Sequence, residues 1–289
     1  MSQSDKLCLE FKTGIGFEVA KHLLEKNARV IIACSESSPK CREQVSVLPN
    51  QKNLDFRQVD LSRFANVSDF AAQITTKYDH VDCLVNNAAK FTSYRETEDK
   101  LKEVVQINSF SPLLLSIKLL PALRKAANPQ ILNIGCQCHL LSSKWTHNYM
   151  TNETRSSLKD TYFLSKNYLL IVTNKLAKLL KDLGVRVNYI EIGHARTSFY
   201  DSCFFHKMII LPFYLMVFSS AEQAAAPIIH ALCSKKDKFA TDTYFLNCEA
   251  NEMPEDIIKN RVLVESTWSS LLTKLDIKPS DIVQTKQQN

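Results

Sequence analysis

The chain has 289 residues, of which 45% are hydrophobic and 23% charged, so it can bury the core of one domain spanning residues 1–289. Its net charge of +6 comes without a block of lysines and arginines, which argues against a nucleic-acid partner and favours a solvated basic surface. Its nine cysteines are odd in number and scattered without a C-x-x-C pair, which predicts reduced thiols and argues against a disulfide or zinc framework.

The N-terminal stretch, MSQSDKLCLEFK, contains no long apolar segment, which predicts neither a signal peptide nor an N-terminal membrane anchor. A cytoplasmic location is therefore expected. The scattered cysteines also predict no metal site. The first element is a junction between a loop and a helix, EFKTGIGFEVA at residues 10–20. In it, Gly14 and Gly16 open a helix with one apolar face, an arrangement typical of a phosphate-binding loop.

Strand and helix patterns alternate from there to the end of the chain. After a first strand that precedes this loop, the second to seventh strands are predicted at 28–34, 53–61, 81–89, 130–135, 185–193 and 243–249, and helices at 66–78, 101–125, 158–184 and 220–234. We expect an Asn or Ser cap on the helix at 66–78, and Gly184 at the end of the helix at 158–184. The order predicts a doubly wound parallel sheet of Rossmann type in a three-layer α/β/α fold, with ligands beyond the carboxyl ends of the strands.

Tyr162 and Lys166 stand four residues apart in TYFLSK, a spacing that alone is common on helix surfaces. The order of the surrounding motifs makes the pair specific. TGIG opens the first helix, Asp60 and Leu61 follow the third strand, NNAA ends the fourth, Asn108 lies in the next helix, NIGC ends the fifth and IGHART ends the sixth. The chain therefore resembles the short-chain dehydrogenase/reductase family over nearly its whole length. The segments TYFLNCE and STWSSLLTKL are similar to its retinol dehydrogenase-like branch.

The resemblance implies an oxidoreductase that interconverts a lipophilic, retinoid- or steroid-like alcohol and its carbonyl with a nicotinamide cofactor. In such an enzyme Tyr162 is the acid/base, Lys166 favours its phenolate, and Asn108 kinks its helix and supports a proton-relay water. The family's serine at the end of the fifth strand falls on Cys136, a weaker hydrogen-bond donor that predicts a slow enzyme. Cys136 is alternatively a redox-sensitive thiol beside Cys138, or one of two ordinary strand-end cysteines.

The resemblance also implies the cofactor contacts. They are Gly14, Ile15, Gly16, Ser35, Asp60, Leu61, Asn87, Ala88, Tyr162, Lys166 and Thr197. Relatives that use NADP commonly carry an arginine after the second strand, and NAD users an acidic residue, whereas this chain has Ser35 and Glu36. Lys40 and Arg42 could reach a 2′-phosphate, or they form a solvated pair. NADP is the expected cofactor, with NAD as the alternative.

The phosphate loop departs from the family pattern. Counting back from Gly16 puts the first glycine position on Glu10, whose carboxylate would repel a pyrophosphate. An alternative alignment ends the first strand at Leu9 and shortens the loop by about two residues. Ala89 replaces a glycine and Ile192 a proline, and the chain has only 5 glycines. These departures favour a second hypothesis, a catalytically impaired pseudoenzyme that keeps the fold to bind a lipophile or a protein.

The apolar run at 204–218 follows the sixth strand, within the segment at about 198–219 where the family places its substrate lid. A lid over a lipophilic substrate is the first interpretation, and peripheral membrane contact or plain core packing are the alternatives. The resemblance further implies a homodimer through the helices that carry Asn108 and Tyr162.

Overall fold

Eight strands form a single sheet in the computed structural model, which describes residues 5–9, 14–35, 39–92, 95–136, 157–193, 219–235, 237 and 240–284. The strands are β1 Asp5–Leu9, β2 Arg29–Cys34, β3 Leu54–Gln58, β4 Cys83–Asn86, β5 Gln130–Gly135, β6 Arg186–Glu191, β7 Thr243–Leu246 and β8 Glu249–Glu252. Their order across the sheet is β3-β2-β1-β4-β5-β6-β7-β8, and all neighbours are parallel except β7 and β8. The strand order reverses between β1 and β4, as in a doubly wound fold, so the predicted fold class is confirmed.

Helices cover both faces of the sheet. They are α1 Ile15–Glu25, α2 Pro39–Ser46, α3 Phe64–Lys77, α4 Glu103–Val105, α5 Ser111–Lys118, α6 Leu120–Leu123, α7 Leu158–Leu180, α8 Ala221–Cys233, α9 Glu255–Ile258, α10 Arg261–Lys274 and α11 Pro279–Gln284. The side chains of α3, α5, α7 and α10 share one buried apolar cluster, and those of α1 and α8 share another on the opposite face. The sheet is therefore the middle layer of three.

Apolar runs of the sequence form inner strands of the sheet. The strands predicted at 28–34 and 130–135 match β2 and β5 to within one residue, and nearly all of their side chains are buried. Such continuous apolar runs are typical of parallel strands covered on both faces. Strand β1 ends at Leu9, which pairs with Ala33 on one side and Asn86 on the other. This boundary agrees with the alignment that ends the first strand at Leu9 and shortens the phosphate loop.

The helix predicted at 101–125 is wrong as a continuous helix. It is divided into α4, a π-helical segment at Gln106–Phe110, α5 and α6. The expected Asn or Ser cap of α3 is also wrong, since α3 begins after Arg63 and has no side-chain cap of its own. The carboxylate of Asp99 instead accepts the Phe64 amide at 2.9 Å. A long-range contact thus replaces the local cap, and no short sequence window could predict it.

The scarcity of glycine shows in the turns. Seven other residues of the described chain have positive φ, namely Asn27, Asn50, Lys100, Asp242, Asn247, Cys248 and Asp276. Asn247 and Cys248 form the turn between β7 and β8, and two consecutive positive φ angles are what a type I′ hairpin turn requires. Asn and Asp tolerate this conformation better than most residues, which explains their prevalence here.

The expected lid at 198–219 and its apolar run at 204–218 lie outside the described residues, apart from residue 219. Among the helices of the described ranges, none combines the length and apolar character needed to cross a membrane.

Candidate active site

Tyr162 and Lys166 lie one turn apart on α7, as their spacing predicts. The Tyr162 side chain is half-buried, whereas Lys166 is only 2% exposed. The Lys166 Nζ donates a hydrogen bond to the carbonyl oxygen of Ile134 at 2.8 Å. Because Ile134 is the penultimate residue of β5, this bond ties the ammonium group to the carboxyl end of the central sheet.

Asn108 lies in the π-helical segment and connects it to the loop after β4. Its Oδ1 accepts the Lys90 amide at 2.7 Å, and its Nδ2 donates to the Lys90 carbonyl oxygen at 3.1 Å. The same Nδ2 contacts the Ser165 Oγ at 2.9 Å. The structure therefore brings Asn108 to α7, next to the residue that precedes Lys166. A π-bulge with a buried amide at its centre is a frequent mark of a functional site.

Two residues that the sequence reasoning passed over define the surroundings of Tyr162. The Ser165 Oγ donates to the Tyr162 carbonyl oxygen at 2.7 Å, which joins Asn108 to the backbone of the tyrosine. The ring of Phe91 meets the Tyr162 ring edge-on, with centroids 5.3 Å apart and planes at 86°. Phe91 supplies an apolar surface beside the phenol, as a lipophilic substrate would require.

Cys136 follows β5 directly, at the position where a hydroxyl donor was expected. Its amide donates to the Tyr189 hydroxyl at 3.2 Å, and that hydroxyl donates to the Cys136 carbonyl oxygen at 3.3 Å. Cys136 is disulfide-bonded, so the prediction of reduced thiols throughout is wrong at this residue. A sulfur in a disulfide carries no proton to donate. The other cysteines with described side chains, Cys34, Cys83, Cys233 and Cys248, are free thiols.

The N-terminus of α1 fits the phosphates of a dinucleotide. Gly14 is the N-cap of α1 and has a φ of 110° and a ψ of −136°, a conformation that favours glycine. The first amides of a helix have no intrahelical acceptors, and together with the helix dipole they attract an anion. Ile15 and Gly16, both buried, begin this helix. Glu10 lies outside the described residues.

The remaining expected cofactor contacts follow other strands at the same edge of the sheet. Ser35 follows β2, and Asn87 and Ala88 follow β4. Asp60 comes two residues after β3, and its Oδ1 accepts both the amide and the hydroxyl of Ser62, at 2.9 and 2.6 Å. Leu61 is buried, and its carbonyl oxygen accepts the Ser111 hydroxyl at 2.6 Å. All of these expected contacts follow the carboxyl ends of β2, β3 or β4, the edge of the sheet at which a doubly wound fold binds its ligands.

Several residues that the sequence analysis names lie outside the described residues. These are Thr197, Glu36 and Cys138, together with the side chain of Lys40. Arg42 is exposed on α2.

A second group of buried polar residues lies beside Cys136, and the sequence reasoning missed it. The rings of Tyr189 on β6 and Tyr244 on β7 stack at 5.3 Å with planes 13° apart, and the Tyr244 hydroxyl donates a very short hydrogen bond to Glu191. Burial raises the pKa of Glu191, although the bond from Tyr244 lowers it. The one sequence signal was a carboxylate two residues after a tyrosine, within a strand that is otherwise buried.

The family model for short chain dehydrogenases matches residues 11–204. Retinol dehydrogenase 13 of Homo sapiens is 25% identical over 267 residues, covering 88% of this chain and 80% of that protein. The short-chain dehydrogenase TIC 32 B, chloroplastic, of Brassica napus is 23% identical over 279 residues, covering 92% of this chain and 87% of that protein.

Solved structures agree on the fold. An uncharacterised protein from Mycobacterium paratuberculosis superposes with a TM-score of 0.74 at 17% identity, covering 96% of this chain and 97% of that one. The 3-ketoacyl-(acyl-carrier-protein) reductase from Brucella melitensis, complexed with NADH, superposes with a TM-score of 0.64 at 21% identity. That match covers 84% of this chain and 97% of the reductase.

Proposed function

The chain belongs to the short chain dehydrogenase family of oxidoreductases, and we propose that it interconverts a lipophilic alcohol and its carbonyl with a nicotinamide dinucleotide, preferably NADP. The observation that carries the proposal is the connected set of Tyr162, Lys166 and Asn108 at the carboxyl end of β5. A retinoid- or steroid-like substrate is favoured by the similarity to retinol dehydrogenases and by the Phe91 ring beside Tyr162.

In this proposal Tyr162 moves the proton. Its hydroxyl donates to the carbonyl oxygen during reduction and accepts from the alcohol during oxidation. The Lys166 ammonium, one turn away, favours the phenolate form by its charge. When bound, the nicotinamide supplies or accepts the hydride. Asn108 holds the π-helical segment against the Lys90 backbone and, through Ser165, holds the helical turn that carries Tyr162.

The residues that would hold the cofactor fit a dinucleotide. Gly14, Ile15 and Gly16 offer a helix N-terminus to the phosphates, and Asp60 lies where the resemblance implies a cofactor contact. Ser35, Asn87, Ala88 and Thr197 complete the proposed set. The preference for NADP rests on Lys40 and Arg42, two basic residues that follow β2 and could reach a 2′-phosphate, whereas Glu36 keeps NAD as the alternative.

A catalytically impaired protein is the second hypothesis. Two observations favour it: β1 ends at Leu9, as the alignment with a shortened phosphate loop requires, and a disulfide removes the proton of Cys136. Such a protein would keep the fold to bind a lipophile or a protein partner. A cytoplasmic location, a peripheral membrane contact through the segment at 204–218 and a homodimer are further proposals, and no nucleic-acid partner is proposed.

Titration of the purified protein with NADPH and NADH, followed by nicotinamide fluorescence, separates the two hypotheses. We expect saturable binding of NADPH below about 1 mM, in the ordinary range for enzyme ligands. Turnover of retinaldehyde or a model carbonyl should then fall by about 10²–10⁴ in Tyr162→Phe, the usual contribution of a general acid.

Tyr78→Phe is the matched control. It removes a tyrosine hydroxyl that donates to Asp55 at 2.7 Å, near the opposite end of the sheet, and it should leave turnover unchanged. Failure of both dinucleotides to bind at millimolar concentration would exclude the oxidoreductase. Binding with equal turnover in the wild type and Tyr162→Phe would refute the role of Tyr162.

A further inference from the structure

The Tyr189 ring lies directly over Gly135, the last residue of β5. A Cβ atom built on Gly135 would lie 1.8 Å from both the Cζ and the hydroxyl oxygen of Tyr189. No side chain can therefore occupy position 135 while the Tyr189 ring keeps its place. The missing side chain at Gly135 allows a tyrosine from the neighbouring strand to reach the next residue, Cys136.

The Tyr189 hydroxyl holds both backbone polar groups of Cys136. It accepts the Cys136 amide at 3.2 Å and donates to the Cys136 carbonyl oxygen at 3.3 Å. Since β5 ends at Gly135, the regular pairing with β6 stops one residue before the point at which these bonds are made. The hydroxyl thus extends the anchoring of the chain by one residue beyond the strand.

The tyrosine itself is fixed by its neighbour. Tyr189 is 2% exposed, and Tyr244 is its direct partner in the pairing of β6 and β7. The two rings stack, and the hydroxyl of Tyr244 is bound to Glu191 on β6. A ring confined between Gly135 and Tyr244 cannot tilt without a clash, so the Tyr189 hydroxyl has a defined position.

We propose that Tyr189 is a positioning residue, which holds the backbone of residue 136 so that, when Cys136 is reduced or replaced by serine, the side chain at 136 meets the reacting oxygen of the substrate. The inference rests on the proposed function, because position 136 matters to catalysis only if an oxyanion forms there. Lys166 holds the same end of β5 through the Ile134 carbonyl, so residue 136 follows a strand end that is fixed from both α7 and β6. A displacement of about 1 Å at such a donor can lower a rate by on the order of 10²-fold.

The first arm of the test does not depend on activity. Tyr189→Phe removes the hydroxyl and keeps the stacked ring. Amide hydrogen exchange at residue 136, measured under reducing conditions, should then accelerate by about tenfold, the size of one typical hydrogen bond. Tyr78→Phe, which loses a tyrosine hydroxyl bond far from β5, should leave this amide unchanged.

The second arm is a double-mutant cycle in two backgrounds that cannot form the disulfide. In Cys136→Ser, which offers a hydroxyl donor, adding Tyr189→Phe should lower kcat by about tenfold and change KM by less than about twofold. In Cys136→Ala, which offers no donor, adding Tyr189→Phe should have no further effect on kcat. The non-additivity is expected because Tyr189 acts only through the side chain at 136.

Equal losses in both backgrounds would overturn the proposal, since Tyr189 would then act through the fold in general. Unchanged amide exchange at residue 136 would overturn the proposal as well, because the Tyr189 hydroxyl would then not hold the backbone of that residue. An inactive Cys136→Ser protein in which Tyr189→Phe still accelerates the exchange would instead refute the proposed oxidoreductase. The Tyr189 hydroxyl would then hold the backbone of residue 136 without a role in catalysis.

Discussion

At the scale of single residues, Cys136 limits the proposed chemistry. A thiol donates a weaker hydrogen bond than a hydroxyl, and a disulfide sulfur donates none. A missing oxyanion donor typically lowers a rate by on the order of 10²–10³. The oxidised protein should therefore be the slowest form, the reduced protein should be intermediate, and a hydroxyl at this position should be fastest.

Cys136→Ser tests this order. We expect its turnover to exceed that of the wild type by at least about tenfold, and to be independent of dithiothreitol, whereas the wild type should gain activity on reduction. Alkylation followed by mass spectrometry measures whether Cys136 is blocked in each sample. Cys233→Ser, at an exposed free thiol on α8, is the control and should keep the dependence on reductant. A slower Cys136→Ser protein would mean that the thiol itself is needed.

At the scale of elements, the end of β5 and the adjoining part of β6 are matched to each other through Gly135 and Tyr189. Gly135→Ala should lower the free energy of unfolding by about 1–3 kcal/mol or more, because a buried methyl group has no room. Tyr189→Ala leaves a cavity and is costly alone, but in the double variant it creates the space that the methyl group needs. The two losses should therefore be less than additive by about 0.5–3 kcal/mol.

Urea denaturation of the wild type, the two single variants and the double variant measures the coupling free energy between the two substitutions. Gly184→Ala is the matched control, since its φ of 72° makes any side chain strained but no atom lies within 4 Å of the added Cβ. Adding Tyr189→Ala should not reduce the loss of stability that Gly184→Ala causes. Fully additive losses for Gly135→Ala and Tyr189→Ala would show that the strands adjust independently.

The elements also show how far the sequence predicts the structure. Largely apolar runs located β2, β4, β5 and β6, because strands covered on both faces are rich in apolar side chains. Helix α2 and strand β8 were missed, since PKCREQVS and EANE carry no apolar periodicity. The kink at Asn108 was expected from the resemblance, but the division of the helix at 101–125 into shorter segments was not, because it depends in part on bonds between Asn108 and Lys90, which lie on different elements. Tyr162, Lys166 and Asn108 were identified through the resemblance to the family's ordered motifs, whereas Tyr189 became visible only with the packing of three strands.

At the scale of the whole molecule, stability should depend on the pH through two carboxyl groups, the buried Glu191 and the half-buried Asp242. Burial raises the pKa of Glu191 and of Asp242, although hydrogen bonds from Tyr244 and Asn174 lower them in part. Over the pH range between the ordinary and the raised pKa, each group keeps its proton in the folded state while the unfolded chain has lost it. Their contribution to stability is therefore full below the ordinary carboxyl pKa, and is lost as the pH rises through the raised value.

Glu191→Gln isolates one of these groups. Relative to the wild type, its free energy of unfolding should increase as the pH rises above about 4.3, with a slope of at most about 1.4 kcal/mol per pH unit. Denaturant unfolding between pH 4 and 8 measures the difference. Glu249→Gln makes the same change on the exposed strand β8 and serves as the control. A difference for Glu191→Gln that shrinks with rising pH would contradict the assigned sign.

The assembly of the molecule is constrained by its C-terminal helices. Trp268, Leu271 and Leu272 of α10 are buried in the same apolar cluster as α7. The homodimer expected through the helices that carry Asn108 and Tyr162 stays a prediction, and it would have to use the surface that α10 leaves open. Light scattering after size exclusion would measure the oligomeric state.

The use of residues other than glycine at the seven positions with positive φ affects the conformational entropy of the unfolded chain as well as the backbone strain of the folded one. Glycine loses more conformational entropy on folding than any other residue, and replacing it where the native backbone tolerates the change gains about 0.4–1 kcal/mol. A chain with only 5 glycines has a narrower unfolded ensemble than an average chain of its length. Local strain at positions such as Asn247 and Cys248 is therefore offset by a smaller entropy of the disordered state, a contribution to stability that no contact in the folded protein displays.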